Sequence, residues 1–380
     1  MIILHLCLGN FYIDNFNYQE NILSKIDKKK GHDVTIIAST ETYIDNSTIG
    51  YVAPGEYKNE DGIRVVRLPY MKIGSNFVTR KVRKYCGLFD KIEEFRPDVI
   101  FSHSLCFSVG DLLKYKRKYP AVKIYADTHT AEYNSGKNWI SLNLLHKVYY
   151  KHNIQRIIPY IEKYFYIGVS ERDFSIDNYD FPESKMEYFP LGGIIPSKEE
   201  YKKNRNEKRT ELGIGADQYL LVHSGKLTAQ KRTEELITAF NRSRINAVLI
   251  IIGSISNEMK PVLEPLIDGQ SVKYLGWKKG DELSKYLCAC DLYCQPGSVS
   301  ATLQQAICHF SPVLAYPHDE YQHINSYYDN FLFAKSTDDL ENVFNQIQNG
   351  EIDLETIKEK TERCANTLLD YEVLEKKYTV

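Results

Sequence analysis

Short, apolar, β-branched runs alternate with helical segments along the chain, and the alternation begins afresh after a charged stretch near the middle. No other feature constrains the fold as strongly. A strand that is apolar throughout must be buried on both faces, and helices packed on both sides of a parallel sheet bury it that way. In the first half, strands are predicted over 2–8, 34–38, 63–68, 98–102, 123–126 and 166–169, the last preceded by a long helix rich in aromatic and basic residues. A helix is predicted over 18–30, with Asn17 as N-cap and Glu20 as the partner of a capping box, and with Gly31 at its exit. Residues 196–211 are highly charged, as suits an exposed linker and a surface helix. The second half restarts the pattern with strands at 219–222, 247–252, 272–275, 292–295 and 313–316. Helices are predicted at 233–241, 282–289 and 300–309, and a helical tail at 354–378.

The chain has 380 residues. At roughly 100–200 residues per domain this suits two domains of one α/β type. In such sheets ligands bind beyond the C-terminal ends of the strands. The net charge of −2 gives no reason to expect a nucleic-acid partner. Between Lys72 and Lys123, however, roughly twelve Lys or Arg face five Asp or Glu, a bias suited to anionic lipid or phosphate. Around 77–95 those basic residues mix with aromatics. This fits a peripheral membrane contact, and equally a solvated helix. The eight cysteines form no Cys-x-x-Cys pair, so neither a metal site nor a disulfide is expected; Cys290 and Cys294 read as buried small hydrophobes. Residues 1–8 read as a first strand rather than a leader, and no apolar run approaches the ~20 residues of a membrane span. A cytoplasmic protein is expected.

Two clusters look chemical. His223-Ser224-Gly225-Lys226 follows the 219–222 strand, with Lys231 and Arg232 soon after. A glycine at a strand exit permits close approach of a ligand, and lysines there neutralise phosphates as point charges. A solvated basic turn would look the same. The second cluster runs Pro296-Gly297-Ser298-Val299-Ser300 into a helix beginning near Ala301 and Thr302, with Ser300 as N-cap. The free amides and dipole of such a helix start attract anions. Both clusters fall at C-terminal strand ends, so Lys226, Lys231 and the helix start are expected to converge on one diphosphate.

These residues, taken together, resemble the retaining glycosyltransferases of family 4, which have the GT-B fold. His223-Ser224-Gly225-Lys226-Leu227 with Lys231 resembles that family's diphosphate-binding run. Val272 to Trp277, including Tyr274, Gly276 and Trp277, resembles the strand and turn that frame the nucleobase. Gln305 to Val313 resembles the family's Glu-Ala-Met-Ala-x-Gly-x-Pro-Val segment. The resemblance covers nearly the whole chain. It implies an α/β GT-B architecture, two Rossmann-like domains with parallel sheets facing a central cleft. Residues 1–193 would bind the acceptor and 194–365 the nucleotide sugar, and 366–380 would pack back on the first domain.

The resemblance also implies functions. Lys226, Lys231 and His129 are the expected catalytic residues, His129 facing the sugar from the first domain. Gly225, Tyr274, Gly276, Trp277, Ser298, Ser300, Ala301, Thr302 and Gln305 would hold the donor. His103, Asp127, Glu132, Asn10 and Tyr18 are acceptor-side candidates. No cofactor is implied beyond the nucleotide-diphosphate sugar as co-substrate. The expected reaction is metal-independent, retaining transfer to a glycan or lipid-linked acceptor in bacterial surface polysaccharide synthesis, and no Asp-x-Asp motif is present to hold a metal. Yet the family's paired Glu positions hold Gly297 and Gln305, and its Arg is Lys226. A non-catalytic relative that binds sugar nucleotides or serves as a partner subunit, and a sugar-nucleotide epimerase on the same fold, are therefore alternatives. A nicotinamide dehydrogenase is disfavoured, because no Gly-x-Gly-x-x-Gly follows the first strand.

Overall fold

The structure is a computed structural model that describes residues 1–9, 12–45, 48–105, 108–135 and 138–379. Two compact units divide the chain, one formed by 1–190 and 374–380, the other by 191–373.

The first unit is built on an eight-stranded sheet. Its strands are β1 (Ile2–Cys7), β2 (Asp33–Ser39), β5 (Gly55–Lys58), β6 (Arg64–Leu68), β7 (Val99–His103), β8 (Lys123–Thr128), β9 (Lys163–Tyr166) and β10 (Met186–Tyr188). They are ordered β10-β9-β8-β7-β1-β2-β6-β5, all parallel except the edge strand β5. A hairpin of β3 (Glu41–Asp45) and β4 (Thr48–Tyr51) stands apart. β1 and β7 are buried along almost their whole length. One side of the sheet packs on rings: Phe101 lies 4.7 Å from Tyr378 and 5.8 Å from Phe165, which lies 4.6 Å from Phe189. Each such ring taken out of water contributes about 1.5–3 kcal/mol. Tyr378 belongs to the last helix, Tyr371–Thr379.

The second unit has six parallel strands, β11 (Tyr219–Leu227), β12 (Ala247–Ile255), β13 (Val272–Tyr274), β14 (Leu292–Gln295), β15 (Val313–Ala315) and β16 (Phe331–Phe333), ordered β13-β12-β11-β14-β15-β16. The charged segment forms the surface helix Lys198–Leu212, capped by Ser197, whose hydroxyl accepts from Glu200 N.

Several expectations need correction. The first helix is Gln19–Lys29, and Tyr18 occupies its N-cap with no side-chain cap bond, so the Asn17–Glu20 capping box does not form. Glu20 is instead buried. The strand expected at 166–169 ends at Tyr166, because Gly168 caps the helix Val169–Tyr179. Strands β11 and β12 run on to Leu227 and Ile255. Gly225 and Lys226 therefore belong to a strand, not to a turn.

Candidate active site

The C-terminal ends of β11 and β12 meet at a pair of glycines. Gly225 and Gly253 are register partners, with φ of +142° and +146°. A Cβ on Gly253 would stand 1.8 Å from the Gly225 carbonyl oxygen. Only glycine permits this approach, and it lets two polar strand ends continue side by side. Tyr274 and Gly276 are tied to the same point. The Tyr274 hydroxyl donates to Gly253 O at 2.8 Å, and Gly253 N donates to Gly276 O at 2.9 Å. Trp277 beside them is 70 % exposed.

After β11 the chain makes a tight turn over Ala229–Lys231. Lys231 is buried there, its Cε 3.5 Å from where a Cβ on Gly225 would lie. Its ammonium donates to Ser298 O and Val299 O, both at 3.2 Å. Burial lowers the Lys231 pKa to about 8, since leaving water disfavours the charged form. The following loop is tied to the same turn: Ser298 N donates to Gln230 O at 2.8 Å, and Arg232 Nη1 to Pro296 O at 3.2 Å. A Cβ on Gly297 would lie 2.2 Å from Gln230 O and 2.6 Å from Lys231 C. Gly297 is thus the point where the two loops touch backbone to backbone.

Ser300 does occupy the N-cap of the helix Ala301–Cys308, but its side chain makes no cap bond. Its amide instead donates to the buried hydroxyl of Tyr321 at 2.7 Å. Ala301 is exposed and Thr302 half-buried. The first amides of a helix have no partner within it, so these two stay available beside Ser298 and Val299. Gln305 is half-buried in the next turn, where its carbonyl accepts from His309 Nδ1 at 2.7 Å. Lys226 is exposed and pairs in register with Ser254. Successive strand residues point to opposite faces, so the Lys226 side chain leaves β11 on the face opposite to Gly225 and Lys231. The structure thus joins Lys231, Gly225, Ser298 and the helix start, and gives the Lys226 ammonium no hydrogen-bond partner among the described residues.

In the first unit, Asp127 is the penultimate residue of β8 and His103 the last of β7, and both are fully buried. Asp127 Oδ2 accepts from His103 Nδ1 at 2.7 Å, and Oδ1 from Ser104 N at 3.1 Å. His129 Nε2 lies 3.6 Å from Asp127 Oδ2. Burial alone would raise the Asp127 pKa, but the His103 and His129 charges outweigh it and hold the carboxyl well below the usual carboxylate range. Burial would likewise lower His129, yet the charge of the nearby Asp127 carboxylate outweighs it and raises it above the ordinary histidine value. Glu132 is exposed in the loop after β8, and Tyr18 is exposed with its ring 5.2 Å from Phe16. Asn10 lies outside the described residues.

Among the described residues no group of three or more His, Cys, Asp or Glu side chains is arranged to hold a metal ion, and no helix is long and apolar enough to cross a membrane. Seven cysteines are described, all free.

Residues 204–364 match the family model described as glycosyl transferases group 1. An uncharacterized glycosyltransferase of Methanocaldococcus jannaschii is 26 % identical over 283 residues, which are 70 % of this chain and 67 % of that protein. Among solved structures, Anabaena HepE in complex with UDP superposes with a TM-score of 0.66 at 13 % identity, covering 99 % of this chain and 98 % of that one. Sucrose-phosphate synthase from Thermosynechococcus elongatus gives 0.62 at 13 %, covering 99 % and 97 %. WaaG, a glycosyltransferase involved in lipopolysaccharide biosynthesis, gives 0.62 at 15 %, covering 99 % and 98 %. The chain is a glycosyltransferase with the GT-B fold.

Two groups in this glycosyltransferase escape sequence reasoning. Tyr321, which anchors Ser300, sits among other aromatic residues in 316–328, with nothing local to single it out. His5 and Asp27, joined to each other at 2.7 Å behind His103, did leave a signal. His5 interrupts the apolar strand β1, and Asp27 follows Ile26 on the buried side of the first helix.

Proposed function

We propose that the protein transfers a sugar from a nucleotide-diphosphate sugar to a lipid-linked or glycan acceptor, with retention and without a metal, as in family 4. One observation carries the reading. The buried Lys231 ammonium stands against Ser298 O and Val299 O, beside Gly225 and immediately before the free amides of Ala301 and Thr302. A diphosphate bound there would replace two weak carbonyl contacts with full anionic charge. Preorganised donors of this kind stabilise a leaving diphosphate without reorganisation. Lys226, on the opposite face of β11, is left out of the phosphate contacts; Tyr274 and Trp277 would frame the base, and Gln305 would offer its amide oxygen to the ribose. His129, held by Asp127, would meet the transferred sugar or its acceptor. HepE has been captured with UDP and with UDP-glucose, so uridine nucleotides are the first donors to test.

The acceptor side favours a lipid-linked substrate made at a membrane face. Residues 62–89 and 133–161 contain no Asp or Glu but many Lys and Arg. The two segments touch, since the Tyr150 hydroxyl donates to Lys81 O at 3.0 Å. They expose Phe77, Trp139, Ile140, Leu144 and Val148. Such a mixture suits anionic lipid, and surface polysaccharide synthesis in bacteria would supply the setting.

The test is Lys231→Ala. Transfer and thermal stabilisation by nucleoside diphosphates are measured together. A transfer rate within about twofold of wild type ends the assignment, because losing such a contact costs several kcal/mol. The second reading, a binding subunit without turnover, is favoured by the closed space at Gly297, which leaves no carboxylate there. Stabilisation by a sugar nucleotide with no transfer to any acceptor in a broad panel supports that reading instead.

A further inference from the structure

Behind Asp127 the first unit holds a string of ionisable groups that the transfer reaction as proposed does not use. Asp27, from the first helix, is 2.7 Å from His5 Nε2 through Oδ2. His5 Nδ1 is 3.2 Å from His103 Nε2. His103 Nδ1 is 2.7 Å from Asp127 Oδ2. All four side chains are fully buried. The two imidazoles stack, with centroids 5.5 Å apart and planes inclined by 13°.

A proton count distinguishes this string from an ordinary buried pair. Three contacts need three protons. A neutral imidazole carries one N–H, so two neutral rings supply two. With both carboxylates ionised, one contact would bring two acceptors together in a fully buried site, which costs several kcal/mol. The other donors near the ends do not fill the gap: the Tyr378 hydroxyl donates to Asp27 Oδ2 at 2.9 Å and Ser104 N to Asp127 Oδ1 at 3.1 Å, and neither proton lies between the four groups.

We propose that Asp27, His5, His103 and Asp127 share one proton beyond those of two neutral imidazoles, and that this string is a positioning device fixing the charge that His129 meets at its outer end. The shared proton keeps every contact satisfied while the Asp127 carboxylate stays aimed at His129 Nε2, 3.6 Å away. His129 stands outside the string, its side chain 23 % exposed while its Nε2 is buried against Asp127. Other ionisable groups face the string and His129. Glu20 from the first helix interacts with His103, His129 and Asp127; Cys7 of β1 interacts with Asp127; Glu171 interacts with His129. Glu20 is buried, and desolvation raises its pKa above the ordinary carboxylate value.

The proposal goes beyond the donor-binding reading, and its test needs no turnover. In the full-length protein without substrate, imidazole protons and nitrogens are observed by NMR at neutral pH. Three hydrogen-bonded protons downfield of the amide region are expected from the string. Two or fewer in the wild type overturn the shared proton. In Asp27→Asn the amide donates to His5 Nε2 and supplies the third proton covalently, so one downfield signal vanishes while the His129 titration midpoint stays in place; a third signal that persists in this variant also overturns the proposal. In Asp127→Asn the His129 midpoint falls by about one pH unit or more. A midpoint that does not move overturns the positioning role. The wild-type count stands by itself if either variant folds poorly.

Discussion

A Cβ on Gly297 would stand 2.7 Å from the Cα of Lys231. The turn that carries the buried lysine and the loop that leads to the helix start are in backbone contact, and this position cannot bear a side chain unless one of them moves. In the resemblance to family 4, Gly297 occupies the place of a glutamate. The missing carboxylate is therefore part of the packing here, not an isolated substitution. Gly297→Glu should destabilise the fold by more than ~2 kcal/mol through overpacking, and Gly297→Ala nearly as much. Thermal unfolding of both variants checks this. A melting temperature within one degree of wild type for Gly297→Ala would mean that the loops separate freely.

Lys231 predicts a pH dependence with two opposite slopes. Its pKa in the free protein is about 8, below the ordinary 10.5, because burial disfavours the ammonium. A bound diphosphate would restore the charge, so binding takes up a proton above pH 8. Affinity for a nucleoside diphosphate should fall about tenfold between pH 7 and pH 9 as the free lysine loses its proton. The ligand-free fold responds in the other sense. Between about 8 and 10.5 the unfolded chain binds more protons than the folded one at this site, so the Lys231 contribution to stability rises with pH. Calorimetric titration of UDP across this range, with Lys231→Arg as the permanently charged comparison, is the measurement. A flat wild-type affinity profile contradicts the placement of Lys231 at the phosphates.

What the sequence revealed followed burial. β12 is apolar over Ala247–Ile252 and was readable at once; its last three residues, Gly253–Ile255, were not, because the chain turns polar while the ladder with β11 continues. The same polarity hid the end of β11, so Gly225 and Lys226 read as a turn. β5 is exposed at every residue and antiparallel at the sheet edge, held by pairing with β6 rather than by burial, and no periodicity marks it. In the candidate site, Lys231 and the helix start at Ser300 were legible from strand-turn-helix order. Tyr321 was not, since its role depends on one contact to Ser300 across 21 residues of chain. Ser300 occupies the cap position expected of it while its side chain does no capping, because the Tyr321 hydroxyl takes its amide.

That contact predicts the effect of Tyr321→Phe. The phenol is buried, and its oxygen accepts from Ser300 N at 2.7 Å. Removing it leaves a half-buried amide without an acceptor, at about 1–3 kcal/mol. The helix start would lose its tether, so diphosphate affinity should weaken several-fold while the far-ultraviolet spectrum is unchanged. Binding and unfolding measured on the same preparation check both parts. Full affinity with lowered stability would show that Tyr321 supports the fold but not the phosphate site.

The acid-free segments 62–89 and 133–161 predict how the protein meets a membrane. Ile140, Leu144 and Val148 recur at a four-residue spacing and are 66 %, 54 % and 60 % exposed, at the start of the helical stretch that continues through Lys151–Ile157. Phe77, 71 % exposed, belongs to the helix Asn76–Val82, whose Lys81 carbonyl accepts from Tyr150. Apolar side chains would enter the headgroup region while Arg80, Lys81 and Lys147 meet lipid phosphates, each cation near the surface contributing about 1 kcal/mol. Sedimentation with vesicles containing phosphatidylglycerol should carry the protein down, and vesicles of phosphatidylcholine alone should not. Phe77→Glu combined with Leu144→Glu should abolish binding while transfer to a water-soluble acceptor analogue persists. Equal sedimentation with both vesicle types, or none with either, removes the anionic membrane from the description of this face.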